Sequence, residues 1–497
     1  MFIQFPEVHV PVQGLDEVEL PQMVTIRQRY DASKIDDVEG VLREQLEALP
    51  DHASYEGKRI AITVGSRGIP YLPEMVRVIG EALKEWGASP FIVPAMGSHG
   101  GATAEGQVEM IEGYGVTEEA CGMPIVSSME VMSFGDLDGE PLWCDKAAFE
   151  SDGIVIFNKV KPHTDFRGPH ESGLAKMMAI GIAKHKGAAS LHSFGFHTFT
   201  DMVPRAAELF LQKCPVAFGV GVVQNAYDDI CCIEACTPEN MMATDARLLE
   251  LAKDRLAKFK FDACDLLIVE QIGKNFSGNG HDPNVTGRSI THSCDDVLDV
   301  KKMVVLGLTP ESHHNAAGLA MADCTTRRVL NDIDWEVTWA NTLTTGVTSA
   351  CAIPLYANTD LEAVKLCLRS CYRLDYPQAK IARIKNTMEL HDIQISTALY
   401  EQIKDRADVE FVSGPAPLAF DEEGNLLDYD YREVAVARTI IECSRRVFLV
   451  TDRSKFGRPA MVRVAHLSDI NALFTDGPID KKWADLIHEH GVELFMV

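Results

Sequence analysis

The sequence predicts an α/β protein of two domains, each with a mainly parallel sheet flanked by helices, and an active site in the interdomain cleft. The chain has 497 residues, too many for one hydrophobic core. Apolar strand-like segments alternate with amphipathic helical segments from residue 59, and the alternation starts again near Phe261. Strand–helix–strand repetition favours parallel strands joined by right-handed crossovers.

In the first domain, the pattern predicts a helix at 38–49, a strand at 59–64, a helix at 72–86, a strand at 90–96, a helix after the 97–101 loop and a strand at 153–157. In a parallel sheet, ligands bind at the carboxyl ends of the strands. Arg67, His99 and the segment 161–176 each follow a strand. We therefore expect them to converge on one edge of the sheet.

In the second domain, the pattern predicts strands at 263–270 and 302–308 and helices at 316–330, 360–369 and 393–407. The last stretch has a strand at 447–451 and a terminal helix. The predicted domains are an N-terminal cofactor-binding catalytic domain at 1–258, a C-terminal α/β domain at 259–430, and a segment at 431–497 that packs back on the first domain.

Composition restricts the classes of partner. The net charge of −26 argues against nucleic acid, because a phosphate backbone requires a basic face. No apolar run is long enough for a membrane helix, and the N-terminus lacks a secretory pattern. The thirteen cysteines match no disulfide framework or metal spacing. We expect a cytoplasmic protein with no membrane or nucleic-acid partner.

Basic residues and histidines concentrate between residues 153 and 197. Five of the sixteen histidines lie there, and the cations are Lys159, Lys161, Arg167, Lys176, Lys184 and Lys186. In an acidic protein such a cluster either faces an anionic ligand or forms a solvated surface. Charge alone leaves both interpretations open.

Within this segment, three residue types carry candidate chemistry. Lys176 is flanked by apolar residues, and partial burial would make it a nucleophile or the site of an adduct. His163 lies next to Asp165, which could orient an imidazole acting as a base, and His170 could act in its place. His192 is either a metal ligand or a surface histidine.

Outside the segment, four more residues are candidates. Ser66 and Arg67 follow a strand and could hold a phosphate, although an ordinary turn has the same pattern. His99 lies in a glycine-rich loop that lets a ligand approach. Gln271 and Lys274 follow the first strand of the second domain, where Lys274 could bind a carboxylate or only stabilise a turn.

Taken in order, these motifs resemble the lactate racemase family. The pattern is Arg67, Gly97-x-His99, Pro162-His163, Ser172-Gly173, Lys176, His192 and Gln271-x-x-Lys274, and the resemblance covers about residues 10 to 310. It implies an isomerase, a racemase or epimerase that inverts the hydroxyl-bearing carbon of a 2-hydroxy acid. The reaction would proceed by reversible hydride transfer to a lysine-tethered nickel-pincer nucleotide (nickel pyridinium-3,5-bisthiocarboxylic acid mononucleotide).

The resemblance also implies a role for each residue. These are His99 and His163 as acid/base catalysts, Lys176 as the covalent tether, Ser66, Arg67, Ser172 and Gly173 as cofactor contacts, His192 as the nickel ligand, and Arg67, Gln271 and Lys274 as substrate contacts. The implied partners are a small 2-hydroxy acid and, transiently, the proteins that make the cofactor. A homo-oligomer is left open.

The sequence departs from the family pattern at three places. The segment from His163 to Lys176 is about three residues longer and contains His170, Val64 replaces an acidic residue, and Leu174 replaces a glycine. Two alternatives therefore stay open. One is a nicotinamide-dependent 2-hydroxyacid dehydrogenase, and the other is a noncatalytic protein that binds an anionic metabolite.

Overall fold

A computed structural model describes residues 1–66, 68–420, 424–458 and 460–497. The chain divides into two compact units. The first unit comprises Met1–Arg29, Lys258–Leu343 and Val347–Val497, and the second comprises Tyr30–Ala257 and Thr344–Gly346. The predicted domain limits at 258 and 430 stay predictions.

The strands are β1 Gln22–Gln28, β2 Arg59–Val64, β3 Ser89–Pro94, β4 Val131–Leu137, β5 Glu140–Asp145, β6 Gly153–Lys159, β7 Val216–Gln224, β8 Ile230–Cys236, β9 Ala263–Val269, β10 Asp299–Val305, β11 Cys324–Thr326, β12 Leu355–Ala357, β13 Ile381–Ile384, β14 Asp392–Ser396, β15 Val409–Pro417, β16 Asn425–Asp428, β17 Phe448–Val450, β18 Val462–His466, β19 Ala472–Thr475 and β20 Glu493–Met496.

The α-helices are α1 Val38–Glu47, α2 Leu72–Glu85, α3 Ala104–Glu112, α4 Glu118–Cys121, α5 Lys146–Phe149, α6 Leu174–Lys176, α7 Lys184–His192, α8 Phe199–Lys213, α9 Met241–Arg255, α10 Pro283–Thr286, α11 Arg327–Asn331, α12 Trp335–Thr345, α13 Asp360–Ser370, α14 Thr397–Ile403, α15 Tyr431–Glu442 and α16 Lys481–Glu489. A π-helical turn, Met177–Gly181, follows α6 directly.

The second unit is built on a five-stranded sheet in the order β3-β2-β6-β7-β8. The first four strands are parallel, and β8 runs antiparallel to β7. Apolar residues of α1 and α2 pack on one face, whereas residues of the π-helical turn and α8 pack on the other. Coverage of both faces explains why β2 and β3 are apolar along almost their whole length.

The first unit contains an eight-stranded sheet in the order β12-β11-β10-β9-β13-β14-β1-β15. The strands from β12 to β13 are parallel, and the remaining pairs are antiparallel. The unit also holds the pair β16–β18 and the parallel sheet β17-β19-β20. The predicted fold class, α/β with two units and mainly parallel sheets flanked by helices, is confirmed.

Two of the predicted helices are shorter than expected, because strands replace their first parts. Residues 316–330 contain strand β11 before the short helix α11, because Gly318 adopts a left-handed φ of 97° and Cys324–Thr326 pairs between β10 and β12. Residues 393–407 begin in β14, where Ile393 and Ile395 are buried in alternation. Ser396 then caps α14 by accepting the Leu399 N–H.

Among the residues that the structure describes, no helix is both long enough and apolar enough to cross a bilayer.

A buried ion pair fixes the centre of the eight-stranded sheet. The Arg383 guanidinium in β13 donates to the Glu270 carboxylate that follows β9, and both side chains are fully buried. Arg383 also donates to the carbonyls of Ala419 at 2.8 Å and Ala460 at 3.0 Å. One side chain therefore ties the sheet to the C-terminal region of the same unit.

Replacing Arg383 with Met should lower the free energy of unfolding by about 3–5 kcal/mol, because it leaves the Glu270 carboxylate buried without a counter-ion. Chemical denaturation of the variant measures the loss. The double variant with Glu270→Leu should recover part of it. A single variant as stable as the parent would contradict the role of the pair.

Candidate functional site

Loops from three neighbouring parallel strands form one edge of the five-stranded sheet. β3, β2 and β6 lie side by side, so the chain leaves all three at the same edge. The loop after β3 contains His99, the loop after β2 contains Ser66, and the segment after β6 leads to Lys176. The main chain links them further, since the Gly97 N–H donates to the Gly181 carbonyl at 2.9 Å.

His163 is largely buried beside several cations. Burial lowers the pKa of its imidazole well below the usual value, and the charges of Lys176, Lys161, His192 and Arg167 lower it further. Its Nδ1 accepts the Asp165 N–H at 3.0 Å, so Nδ1 carries no proton in the neutral ring. The ring of Phe166 lies 4.5 Å away between centroids.

His192 ends α7 and is close to the same lysine. Burial lowers the pKa of His192 to about 4, and the charges of Lys176 and His99 add to the effect. Its ring contacts Phe196 and Phe199, with centroids 5.3 and 5.2 Å away. Lys176, His163, His192 and His99 thus form one electrostatically coupled group.

His99 is exposed in the loop after β3, and its Nδ1 lies 2.8 Å from the Met96 carbonyl. The Gln107 amide holds the loop by donating to the Gly97 carbonyl at 2.9 Å and to the His99 carbonyl at 3.3 Å. Helix α3 therefore fixes the loop that presents His99.

The segment between His163 and Lys176 is held by two buried carboxylates. Glu171 accepts the His163 N–H at 2.8 Å and pairs with Lys253 at 3.0 Å. Asp245 accepts the Leu174 N–H at 2.5 Å and lies 2.8 Å from the His170 Nδ1. His170 is therefore anchored to α9, whereas His163 joins the group around Lys176.

The predicted cofactor contacts that the structure describes are Ser66, Ser172 and Gly173. The Ser66 carbonyl accepts the Tyr114 hydroxyl at 3.1 Å, and the Ser172 carbonyl accepts the Lys161 N–H at 2.7 Å. Gly173 packs so closely on Asp245 that an added Cβ would lie 2.1 Å from its carboxylate oxygen, which excludes a larger residue. Arg67 lies outside the described residues.

Gln271 and Lys274 belong to the first unit. The Gln271 N–H donates to the Lys385 carbonyl at 2.9 Å, and the Lys274 ammonium donates to the Gly278 carbonyl within its own loop. The predicted active site in the interdomain cleft stays a prediction.

The six cations predicted to cluster between residues 153 and 197 fall into two groups. Lys184 is fully buried and donates to the Pro94 carbonyl at 2.6 Å, with the Asp145 carboxylate 3.4 Å away. Lys186 lies 3.6 Å from the centroid of the Trp143 ring, and Lys159 donates to Gln224. These three lysines have structural contacts, which leaves Lys161, Arg167 and Lys176 around His163.

Within the described ranges, no group of three or more His, Cys, Asp or Glu side chains has the arrangement of a metal site. The predicted cofactor would instead use one protein nickel ligand, His192, beside the tether Lys176, and these two residues do share one environment. The nickel-pincer nucleotide and the roles of the site residues stay predictions.

A second edge of this kind, formed by loops at the carboxyl ends of parallel strands, lies in the C-terminal region. β17 and β19 are parallel neighbours, and the loops that follow them are joined, because the Arg453 N–H donates to the Asp476 carboxylate at 2.7 Å. Hydrogen bonds from Ser454 lower the pKa of Asp452, and the charges of Lys455 and Arg458 contribute. The edge therefore combines two carboxylates with the cations of one loop.

The side chains of Arg453, Lys455 and Arg458 are exposed. None of them donates a hydrogen bond or forms an ion pair within the part of the chain that the structure describes. Their charges are thus accessible at the carboxyl ends of two parallel strands, which is where such sheets bind ligands.

A family model described as the DeoR C terminal sensor domain matches residues 397–477, which contain this second edge. The glycerol-3-phosphate regulon repressor of Escherichia coli (strain K12) is 45% identical over 74 residues, 15% of this chain and 29% of the repressor. The repressor of the same name from Haemophilus influenzae is 47% identical over 78 residues, 16% of this chain and 30% of its own length. The chain thus spans less than a third of these relatives.

The lactate racemase apoprotein from Thermoanaerobacterium thermosaccharolyticum is a similar solved structure. It has a TM-score of 0.45 and 16% identity, and the match covers 78% of this chain and 99% of that one. At this TM-score and identity, the similarity supports no inference about this chain.

The repressor matches correct several predictions. The racemase or epimerase function, the isomerase class and the dehydrogenase alternative are wrong, because the matched family is a sensor domain and the relatives are named repressors. The alternative of a noncatalytic protein that binds an anionic metabolite is wrong as stated, because it includes no regulatory role. The exclusion of nucleic acid is wrong for the same reason. A net charge describes the whole chain and does not exclude a basic region within it.

One signal in the sequence indicates the missed region. Residues 432–463 contain eight Lys and Arg residues against three Asp and Glu residues, although the whole chain carries a charge of −26. The stretch includes Arg453 and Lys455, directly after a strand. A charge profile along the chain, in place of the net charge, would identify this edge.

Titration of His192 tests the geometry around Lys176. The unfolded ring takes up a proton near pH 6.5, whereas the folded ring stays neutral until about pH 4. The contribution of His192 to stability is therefore complete above pH 6.5 and lost as the pH falls toward 4. His192→Gln should reduce the pH dependence of the unfolding free energy in this window, by up to about 1.4 kcal/mol per pH unit.

Denaturation curves across this pH range measure the effect, with the exposed His197→Gln variant as the matched control. In ¹³C-histidine-labelled protein, the resonance assigned to His192 should remain that of a neutral ring at pH 5.5. Protonation of that ring between pH 6 and 7 would contradict the buried environment.

Proposed function

We propose that this chain is a transcriptional regulator that responds to a small molecule, and that residues 397–477 contain the part that binds the effector. The observation that carries the proposal is the match of these residues to the DeoR C terminal sensor domain. Identities of 45% and 47% with two regulon repressors support it. A cytoplasmic location is part of the proposal.

The proposed effector is a small phosphorylated metabolite. The relatives are named for the glycerol-3-phosphate regulon, so glycerol 3-phosphate is the first probe. The loop after β17 presents Arg453 and Lys455 beside the loop after β19. Arginine and lysine bind phosphate through charge-assisted hydrogen bonds, and a strand edge presents them together.

The same stretch supports contact with DNA. The eight basic residues of 432–463 include the exposed Arg445 between α15 and β17. Neutralisation of phosphates by such side chains provides affinity for DNA that does not depend on sequence. We propose that this basic stretch contributes to the binding of DNA.

Calorimetric titration with glycerol 3-phosphate tests the effector proposal. We expect saturable binding that glycerol does not reproduce, because the phosphate supplies the charge. Lys455→Ala should weaken binding about tenfold through loss of one charged hydrogen bond. Lys213→Ala, at an exposed lysine that ends α8, should leave the affinity unchanged.

Equal affinities for glycerol and glycerol 3-phosphate would contradict the proposed site. An equal loss of affinity in Lys455→Ala and Lys213→Ala would contradict it as well. Absence of binding to a panel of phosphorylated sugars and polyols would contradict the phosphorylated effector.

Selection from a random library of duplex DNA tests regulation. We expect the purified chain to enrich one family of DNA sequences. Addition of glycerol 3-phosphate should change the fraction of that DNA that is bound. The affinity should fall steeply as salt increases, because phosphate contacts release counter-ions. Recovery of no enriched sequence, with or without effector, would contradict a regulator that contacts DNA itself.

A further inference from the structure

The three-stranded sheet β17-β19-β20 is covered on one face. Leu449, Leu473 and Leu494 are in register across the three strands, so their side chains share a face. That face packs against Ile487 and Leu486 of α16. The side chains of the residues between them in each strand point to the opposite face.

The opposite face is apolar and open. Val450, Phe474 and Phe495 are in register, and Phe448 lies on the same face two residues before Val450. Phe448 is 55% exposed, Val450 78% and Phe495 43%. The rings of Phe474 and Phe495 stack with centroids 4.7 Å apart.

An uncovered face of this kind is unusual. Parallel sheets in α/β proteins are buried on both faces, and contiguous exposed apolar patches mark interaction sites. β17 is also an edge strand, paired only with β19 among the described residues. The face therefore requires a partner whose surface is apolar at its centre.

Exposed charges of opposite sign at the two edge strands of the sheet indicate which kind of partner fits this face. The exposed Arg446 lies two residues before Phe448, at the start of the β17 edge. The exposed Glu493 begins β20 at the other edge, in register with Ala472 and Phe448. Neither side chain has an ion-pair partner within the described ranges.

This arrangement is self-complementary. A two-fold axis parallel to the strands, placed above the open face, brings the β17 edge of one copy over the β20 edge of the other. Glu493 of each copy then lies level with Phe448 of its mate, and Arg446 of the mate begins two residues earlier, an offset of about 7 Å that an extended arginine side chain spans. The phenylalanine rows meet between the two charged contacts. The same patch serves both copies, as a two-fold interface requires.

We propose that this face binds a second copy of the chain and forms a symmetric dimer with two sheets packed face to face. Sheets packed in this way lie about 10 Å apart with interdigitating side chains. The apolar centre supplies the affinity, and the two Arg446–Glu493 contacts fix the register. The proposal goes beyond the proposed function and does not rest on it.

Sedimentation velocity of the full chain over a concentration series tests the apolar centre. The parent should sediment as a dimer that dissociates on dilution. The double change Phe448→Ser and Val450→Ser should weaken association at least about tenfold. Leu355→Ser is the matched control, since Leu355 is 65% exposed on the edge strand β12 of the eight-stranded sheet, and it should leave association unchanged.

Charge exchange tests the register. Glu493→Arg and Arg446→Glu should each weaken the dimer, because each places like charges opposite one another. The variant carrying both changes should dimerise again, because it restores opposite charges at both contacts. All the substituted side chains are exposed, and circular dichroism melts verify that each variant folds.

A monomeric parent at every concentration would overturn the proposal and leave the face to a different partner, such as another regulator or nucleic acid. A dimer that the serine changes do not weaken would overturn it as well. Failure of the double charge variant to recover association would overturn the two-fold arrangement.

Discussion

The buried pair between Arg383 and Glu270 is the interaction on which the larger unit depends. A guanidinium and a carboxylate without solvent are stable only when each has a partner, and Arg383 also donates to the carbonyls of Ala419 and Ala460. These contacts join the parallel strands β9 and β13 to residues beyond the last strand of that sheet. The C-terminal region is therefore anchored by the same side chain that fixes the sheet.

The fold could be predicted because its elements are locally encoded. Continuous apolar runs such as 59–64 and 153–157 are typical of parallel strands buried on both faces, and both are strands in the structure. The predicted helix at 316–330 failed because a left-handed Gly318 and a three-residue strand depend on tertiary pairing. The convergence of the loops with His99, Ser66 and Lys176 follows from strand order, which places β3, β2 and β6 together.

The interpretation of function failed for a different reason. The histidines and Lys176 do occupy one environment, and the desolvation that lowers the pKa of His163 could not be read from residue spacing. The ordered motifs from Arg67 to His192 lie in the second unit, whereas the matched sensor segment lies in the first. Its signal, the basic stretch 432–463 in a chain of net charge −26, is lost when charge is summed over the whole sequence.

Hydrogen–deuterium exchange of the full chain, with and without glycerol 3-phosphate, tests the central claim most directly. An effector held between the loops after β17 and β19 would protect the amides of residues 451–458 and 475–480, including the Arg453 N–H that bonds Asp476. We expect slower exchange in these two segments and no change with glycerol. Unchanged exchange there, or protection confined to the Lys161–Lys176 segment of the other unit, would contradict the assignment of sensing to the C-terminal region.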